Sequence, residues 1–291
     1  MRLALLLTIA AATAPTGGVT VVKRPLEAMV PIRGGQFTMG ASAELQSAAL
    51  DLCREEIGQR NRVACVRDVV DSEGPQRKVY VSAFSIDRVE VTVAAWRACV
   101  QAGACSPAPL AIADSRFIAP NLPVTSVTWS EAAAYCTWRG ARLPTEAEWE
   151  RAARGTDGRV WPWGNVLHGN AFNHGRFAGT DDAGSDFVAL IRPDASDGTT
   201  FLAPVGSHPE GASPEGVLDM AGNVMEWTAD YYRSESPQSF SIVNPHGPDA
   251  GAMRSMRGGS WRQPPFFART SYREPAAPDT RSTEVGFRCV R

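Results

Sequence analysis

The sequence predicts a loop-rich α+β domain in which small mixed sheets carry two packed helices. Three observations lead to that prediction. Glycine (26) and proline (21) are plentiful and 8 of the 291 residues are tryptophan, which suits many turns pinned by large aromatics and not a helical bundle. Two helix starts are written as capping boxes, Thr128-Trp129-Ser130-Glu131 and Thr145-Glu146-Ala147-Glu148. In each, the hydroxyl and the carboxylate satisfy orphan backbone N–H groups. Short alternating stretches, among them residues 36–40 and 79–86, have the period of strands.

The chain opens on Met1-Arg2, an apolar run over residues 3–12 and Ala12-Thr13-Ala14. The run is too short to span a bilayer and the A-x-A triplet is a cleavage signal, so residues 1–14 are expected to be a secretory signal peptide. Residues 15–28 follow as a leader, and 29–291 as one domain. A net charge of −2 with scattered basic residues excludes a nucleic-acid surface. Export to the periplasm or the exterior suits the six cysteines, an even number that points to disulfides. Six cysteines allow fifteen pairings. Proximity suggests Cys53–Cys65 and Cys99–Cys105, which leaves Cys136–Cys289. No C-x-x-C pair is present, against a zinc site or a redox dithiol.

Taken in order, Met29-Val30-Pro31-Ile32 begins strand-like sequence, Arg33-Gly34-Gly35 turns, and residues 36–40 form a second strand. Ser42 caps a helix over 43–58 with Leu45, Ala49 and Leu52 on one face, and a charged loop occupies 59–75. One strand is expected over 79–86. Thr92 caps a short helix with Trp96 inward, ended by the stapled loop of Cys99 and Cys105. Residues 106–122 carry prolines and little periodicity. The helix begun at Thr128 stops at Gly140. The one begun at Thr145 ends with Arg151 and Arg154 in its last turn, favourable for the macrodipole, and then Gly155. Trp129, Trp138 and Trp149 place these helices as a layer on a sheet, with Glu146, Glu148 and Glu150 as cap and solvated face. Residues 164–204, rich in Gly, Asp, Asn and Ser, form a long irregular stretch that needs an anchor. Strand-like pieces return at 255–257 and 285–288.

Between those pieces stands Arg257-Gly258-Gly259-Ser260-Trp261. Paired glycines accept backbone angles closed to other residues and let the chain pass close to a neighbour, with Ser260 and Trp261 then facing a groove. The candidate lining is Ser260, Trp261, Arg262, Gln263, Arg269, Tyr272 and Arg273. Aromatic and arginine side chains together suit a peptide or a small anionic ligand. The four histidines show no metal-ligand spacing, and no histidine neighbours Ser260 in sequence as a nucleophile's base would.

Six motifs occur in a fixed order: Gly34-Gly35-x-Phe37-x-Met39-Gly40; Pro123-Val124 with Trp129, Ala132, Tyr135-Cys136 and Trp138; Arg142-Leu143-Pro144-Thr145-Glu146-Ala147-Glu148-Trp149-Glu150; Gly222-Asn223-x-x-Glu226-Trp227; Arg257-Gly258-Gly259-Ser260; and Gly286-Phe287-Arg288-Cys289. Over residues 29–291 the chain resembles the formylglycine-generating enzyme (sulfatase-modifying factor) family. The resemblance implies a single-domain variant C-type-lectin-like fold, disulfide- and calcium-stabilised, with Cys136–Cys289 as its long bridge.

It also implies two calcium sites, one from Asp219 and Glu226 side chains with Gly222 and Val224 carbonyls, the other from Asn173 and Asp197 side chains with His174 and Thr199 carbonyls. Such mixed oxygen sets suit Ca²⁺, and the second would anchor the irregular stretch. The family's oxidases bind Cu(I) through cysteines at the third and eighth positions after the motif serine. Here those positions are Gln263 and Ala268, and neither an amide nor a methyl replaces a thiolate. Met225 stands where the family often has Trp. The expected function is therefore an exported, calcium-binding accessory or binding module that lacks copper-dependent formylglycine generation. The alternative is an enzyme of the same family acting at the groove around Ser260, an oxidoreductase or maturation activity, formylglycine-generating-like or non-haem-iron. No nucleic-acid partner is expected, nor a membrane span once the signal is removed.

Overall fold

The computed structural model describes residues 28–57, 65, 67–177, 191–234 and 241–291. The expected signal peptide, the leader up to residue 27, residue 58 at the end of the expected first helix and residues 59–64 and 66 of the charged loop lie outside the described residues. In chain order the elements are β1 (Met29–Ile32), β2 (Gly35–Met39), α1 (Ala43–Ile57), α2 (Asp68–Asp71), β3 (Arg77–Val81), β4 (Phe84–Asp87), α3 (Val93–Gln101), α4 (Ala108–Ile112), α5 (Trp129–Trp138), α6 (Glu146–Arg154), β5 (Gly175–Phe177), β6 (Ile191–Pro193), β7 (Met225–Tyr231), β8 (Arg254–Arg257), β9 (Glu274–Ala276) and β10 (Val285–Gly286). The sheets are small, as composition predicts. β1 pairs β4, β2 pairs β3 and β5 pairs β6, all antiparallel; a four-stranded sheet runs β10-β7-β8-β9, with β10 parallel to β7.

Both capping boxes form as written. Thr128 and Thr145 each accept from the backbone N–H three residues on, and Glu131 and Glu148 reach back to the cap N–H at 2.9 Å. α3, α5 and one face of the four-stranded sheet enclose a core in which Trp96 stacks on Tyr135 at 5.6 Å and Phe287 meets both edge-on. A second core joins the β1–β4 and β2–β3 pairs to α6 through Ile32, Ile86, Trp149 and Met220. The disulfides are Cys53–Cys65, Cys99–Cys105 and Cys136–Cys289, the pairing expected.

Several expectations are corrected. The strand expected over 79–86 is two strands interrupted at Ser82-Ala83, where the Ser82 N–H turns to Asn244 Oδ1 at 2.7 Å and leaves the ladder. Residues 106–122 contain the short helix α4, started by Pro107 and the Ser106 hydroxyl. The irregular stretch 164–204 carries the antiparallel pair β5–β6, and its residues 178–190 lie outside the described residues. β9 is a strand not anticipated from the sequence; it is an edge strand of its sheet, where the N–H missing from Pro275 is tolerated. Trp138 is 42% exposed and not part of the packed layer.

The largest correction concerns α6. Glu146, Glu148 and Glu150 are all buried, because arginines from distant segments reach them. Glu146 accepts from Arg273 Nε and Nη2 at 2.8 Å each, and Glu148 from Arg142 at 2.6 and 2.7 Å. Glu150 accepts from Arg154, Arg257 and the Gly40 N–H. Arg154 also donates to the Thr38 and Gly40 carbonyls, so it ties β2 to α6 besides facing the helix C-terminus.

Glu56, near the end of α1, accepts from the Phe266 N–H at 3.1 Å through one oxygen, while the other is enclosed without a partner. Burial pushes its carboxyl up to about 8 against the partial opposition of that N–H and of Arg269. A raised acid keeps its proton in the folded state after the unfolded chain has lost it, so ionisation opposes folding. Stability falls by about 2–4 kcal/mol as pH rises from about 4.5 to 8 on this account. Urea unfolding of wild type and Glu56→Gln across that window checks it. The variant should show the flatter profile, and equal slopes would refute the assignment.

Candidate functional site

The face of the four-stranded sheet that packs on the first core continues past it. Its register places Val285 beside Met225 and Met256 beside Glu274 on that face. Above it opens a groove of about 650 Å³. Its polar wall comes from the chain after β8. Gly258 and Gly259 sit at φ +98° and +71°, and a Cβ on either would press Trp149 or the Phe267 backbone at 3.0–3.1 Å. The glycines therefore let this segment turn tightly against α6 and bring Arg262 and Gln263 to the groove.

Gln263 Nε2 donates to Glu274 Oε2 at 2.9 Å, and the Tyr272 hydroxyl lies 3.4 Å from the same oxygen. Ser260 Oγ donates to Glu284 Oε2 at 2.7 Å, and Arg262 Nη1 to Glu284 Oε1 at 3.2 Å. Desolvation raises the Glu274 carboxyl above its ordinary range, opposed by the Gln263 hydrogen bond and reinforced by the nearby Glu284 charge. Glu274 and Glu284, with Met253 and Met256, are lining residues that sequence reasoning missed, and Met225, noted in the sequence, joins them. No local pattern distinguishes them; the sheet register and a return of the chain assemble them.

Of the expected lining, Arg262, Gln263 and Tyr272 face the groove. Ser260 is buried beneath it at 1% exposure. Trp261 is buried as well, its indole N–H donating to the Thr283 carbonyl and its ring against Phe117 and Phe201. Arg269 and Arg273 are spent elsewhere: Arg269 holds Glu73 through two bonds of 2.7 and 2.8 Å, and Arg273 holds Glu146. Each lost its place in the groove because a buried carboxylate claims the guanidinium. Among the described lining residues the one arginine is Arg262, which Glu284 holds, so no cluster of arginines is presented to an anionic ligand there. Ala268 is buried against Ala171, Phe172 and Ala221.

The residues expected to hold calcium come together as two adjoining loops. Asp197 accepts from the His174 N–H at 2.7 Å and the Thr199 N–H at 2.8 Å, which fixes three of the second set in one turn. The fourth, Asn173, donates its amide to Phe201 O and Asn223 Oδ1, while its own Oδ1 is buried without a partner. An orphaned, acceptor-only oxygen, next in sequence to the residue whose N–H Asp197 holds, is a donor a hard cation takes.

In the first set, Asp219 accepts from the Gly206 N–H at 2.6 Å. Glu226 binds Arg288 at 2.7 Å through both oxygens and also accepts from Trp149 Nε1 at 2.8 Å. Glu90, not among the expected ligands, lies against Asp219, and its Oε2 is buried without a partner. Burial raises all three carboxyls above their usual range. Glu226 is paired with Arg288, whereas Asp219 and Glu90 face each other, and either a shared proton or a divalent cation between them would hold that pair. The Asn173–Asn223 contact joins the two loops, with the Asn223 N–H on the Asn173 carbonyl at 2.9 Å.

A disulfide-pinned, loop-rich α+β scaffold with a groove across one sheet face is the fold of formylglycine-generating-enzyme-like proteins. The chain belongs to the family described as Sulfatase-modifying factor enzyme 1-like domain, which it matches over residues 18–291. It is 41% identical over 185 residues to a formylglycine-generating enzyme of Streptomyces coelicolor, a match that covers 59% of this chain and 53% of that protein. It is 32% identical over 312 aligned positions to the Inactive C-alpha-formylglycine-generating enzyme 2 of Mus musculus, covering 90% of this chain and 85% of the mouse protein. PvdO from Pseudomonas aeruginosa superposes with a TM-score of 0.67 at 26% identity, over 90% of this chain and 93% of PvdO. Among the described residues no helix is long and apolar enough to cross a membrane.

Proposed function

We propose that the protein is an exported, calcium-stabilised member of this family that serves as a binding or accessory module and does not generate formylglycine through copper. The observation that carries this is the fate of the thiols. All six cysteines are paired, and Gln263 and Ala268 occupy the positions at which the family's oxidases present their copper thiolates. Soft Cu(I) is selected by thiolate sulfur, and no sulfur of that kind faces the groove. The long alignment to a mouse relative named inactive supports the same reading. The N-terminal sequence and the three disulfides support export.

Elemental mass spectrometry and thiol titration of protein from an oxidising compartment test this together. The expected result is about two calcium ions per chain, no stoichiometric copper or iron, and no thiol in denaturant without reductant. Chelation should lower the melting temperature by roughly 5 °C or more, because calcium binds the folded loops and not the unfolded chain. Stoichiometric copper or iron would overturn the proposal. A second reading, an enzyme at the groove, is favoured by the Ser260–Glu284 hydrogen bond, which would orient a buried hydroxyl. Oxygen consumption with a sulfatase-derived cysteine peptide separates the two.

A further inference from the structure

Two carboxylates, Glu274 and Glu284, line the groove. Glu274 receives only neutral donors, the Gln263 amide and the Tyr272 hydroxyl. Glu284 is offset by Arg262, whereas Glu274 makes no ion pair among the described residues. Gln263 spends its amide N–H on Glu274, and its Oε1 has no hydrogen-bond partner although the residue is only 6% exposed. A buried acceptor without a partner is costly to the protein alone and is met by a ligand that brings N–H groups. Beside these oxygens lie Met225, Met253 and Met256, whose flexible thioethers adapt to an apolar stem.

We propose that the groove binds a primary alkylammonium ion, its ammonium against Glu274 and Gln263 Oε1 and its stem across the methionines. The inference rests on the groove being this protein's binding site. The occupant is a small molecule and not a protein segment. About 650 Å³ is the size of a small-ligand pocket, and Pro275 in the bordering edge strand removes a backbone donor that an added strand would use. Charge complementarity sets the sign: the wall presents an unpaired carboxyl, while the arginines that would attract an anion are occupied at Glu73 and Glu146.

Titration calorimetry of the whole, disulfide-intact protein near neutral pH tests the proposal with n-hexylamine, hexan-1-ol, hexanoate and a blocked lysyl peptide. Hexylamine should bind at least about 10-fold more tightly than hexanol, and hexanoate should not bind. Glu274→Gln, nearly isosteric, should weaken hexylamine by about 10-fold or more, and Gln263→Leu by several-fold. Thermal unfolding verifies that each variant folds; should Glu274→Gln fail to, Gln263→Leu alone decides. Equal affinity for amine and alcohol, or a folded Glu274→Gln that binds amine as wild type does, overturns the proposal. Tighter binding of the lysyl peptide than of the free amine overturns the small-molecule occupant. Absence of binding by all four overturns the inference while leaving the metal and thiol results, and the broader reading they test, untouched.

Discussion

Glu150→Gln lowers folding stability by about 3–5 kcal/mol, the expected loss when one partner of a buried ion pair is removed. Glu150 is 1% exposed and sits between two guanidiniums, Arg154 at 1% and Arg257 at 0% side-chain exposure. One carboxylate oxygen takes the Gly40 N–H and Arg154; the other takes Arg257. An amide matches the shape but withdraws the charge and turns an N–H₂ toward donors that need an acceptor. Arg257 also lies over the Trp149 ring at 5.3 Å and donates to the Ser271 and Tyr272 carbonyls, so its displacement loosens the chain next to the groove. Urea unfolding monitored by tryptophan fluorescence measures the effect. A loss below about 1 kcal/mol would mean that water reaches the cluster and screens it.

Removing the Cys136–Cys289 bridge, by alanine at both positions, is expected to cost about 5 kcal/mol. The bridge spans 153 residues, and the chain-entropy account scales with the logarithm of that length. Cys99–Cys105, with a separation of 6, should cost about 2 kcal/mol when removed the same way. The comparison matters more than either figure: similar losses would show that local packing, and not restriction of the unfolded chain, sets the value of these bridges. Denaturant titration of the two double variants under identical conditions supplies it.

What was legible in the sequence was whatever is encoded within a few residues. The capping boxes at Thr128 and Thr145, the tight passage at Gly258-Gly259 and the period of the first strands all depend on neighbours in the chain. The disulfides were legible because cysteines have few partners to choose from. The buried arginines were not. Arg269 and Arg273 look, as sequence, like groove residues, and only folding brings up Glu73 and Glu146, nearly two hundred and more than a hundred residues away. The same holds for Glu150, read as solvated because an acidic helix position without its partner resembles a surface. β9 was not anticipated either. The tight passage at Gly258-Gly259 leads to the groove, whereas Glu274 reaches it from β9 and Glu284 from the chain just before β10, and no local pattern ties either to it.

The segment 287–291 has a consequence for how the fold assembles. The Phe287 carbonyl accepts from the Val91 N–H and the Cys289 carbonyl from the Asp87 N–H, while Val290 and Arg291 exchange backbone bonds with Arg142 and Ser85. Residues 287–291 therefore join the first strands to the central helices across long stretches of chain. Contacts between residues so far apart in sequence form slowly, so the central core closes late in folding and its apolar surface stays exposed to wrong partners until it does.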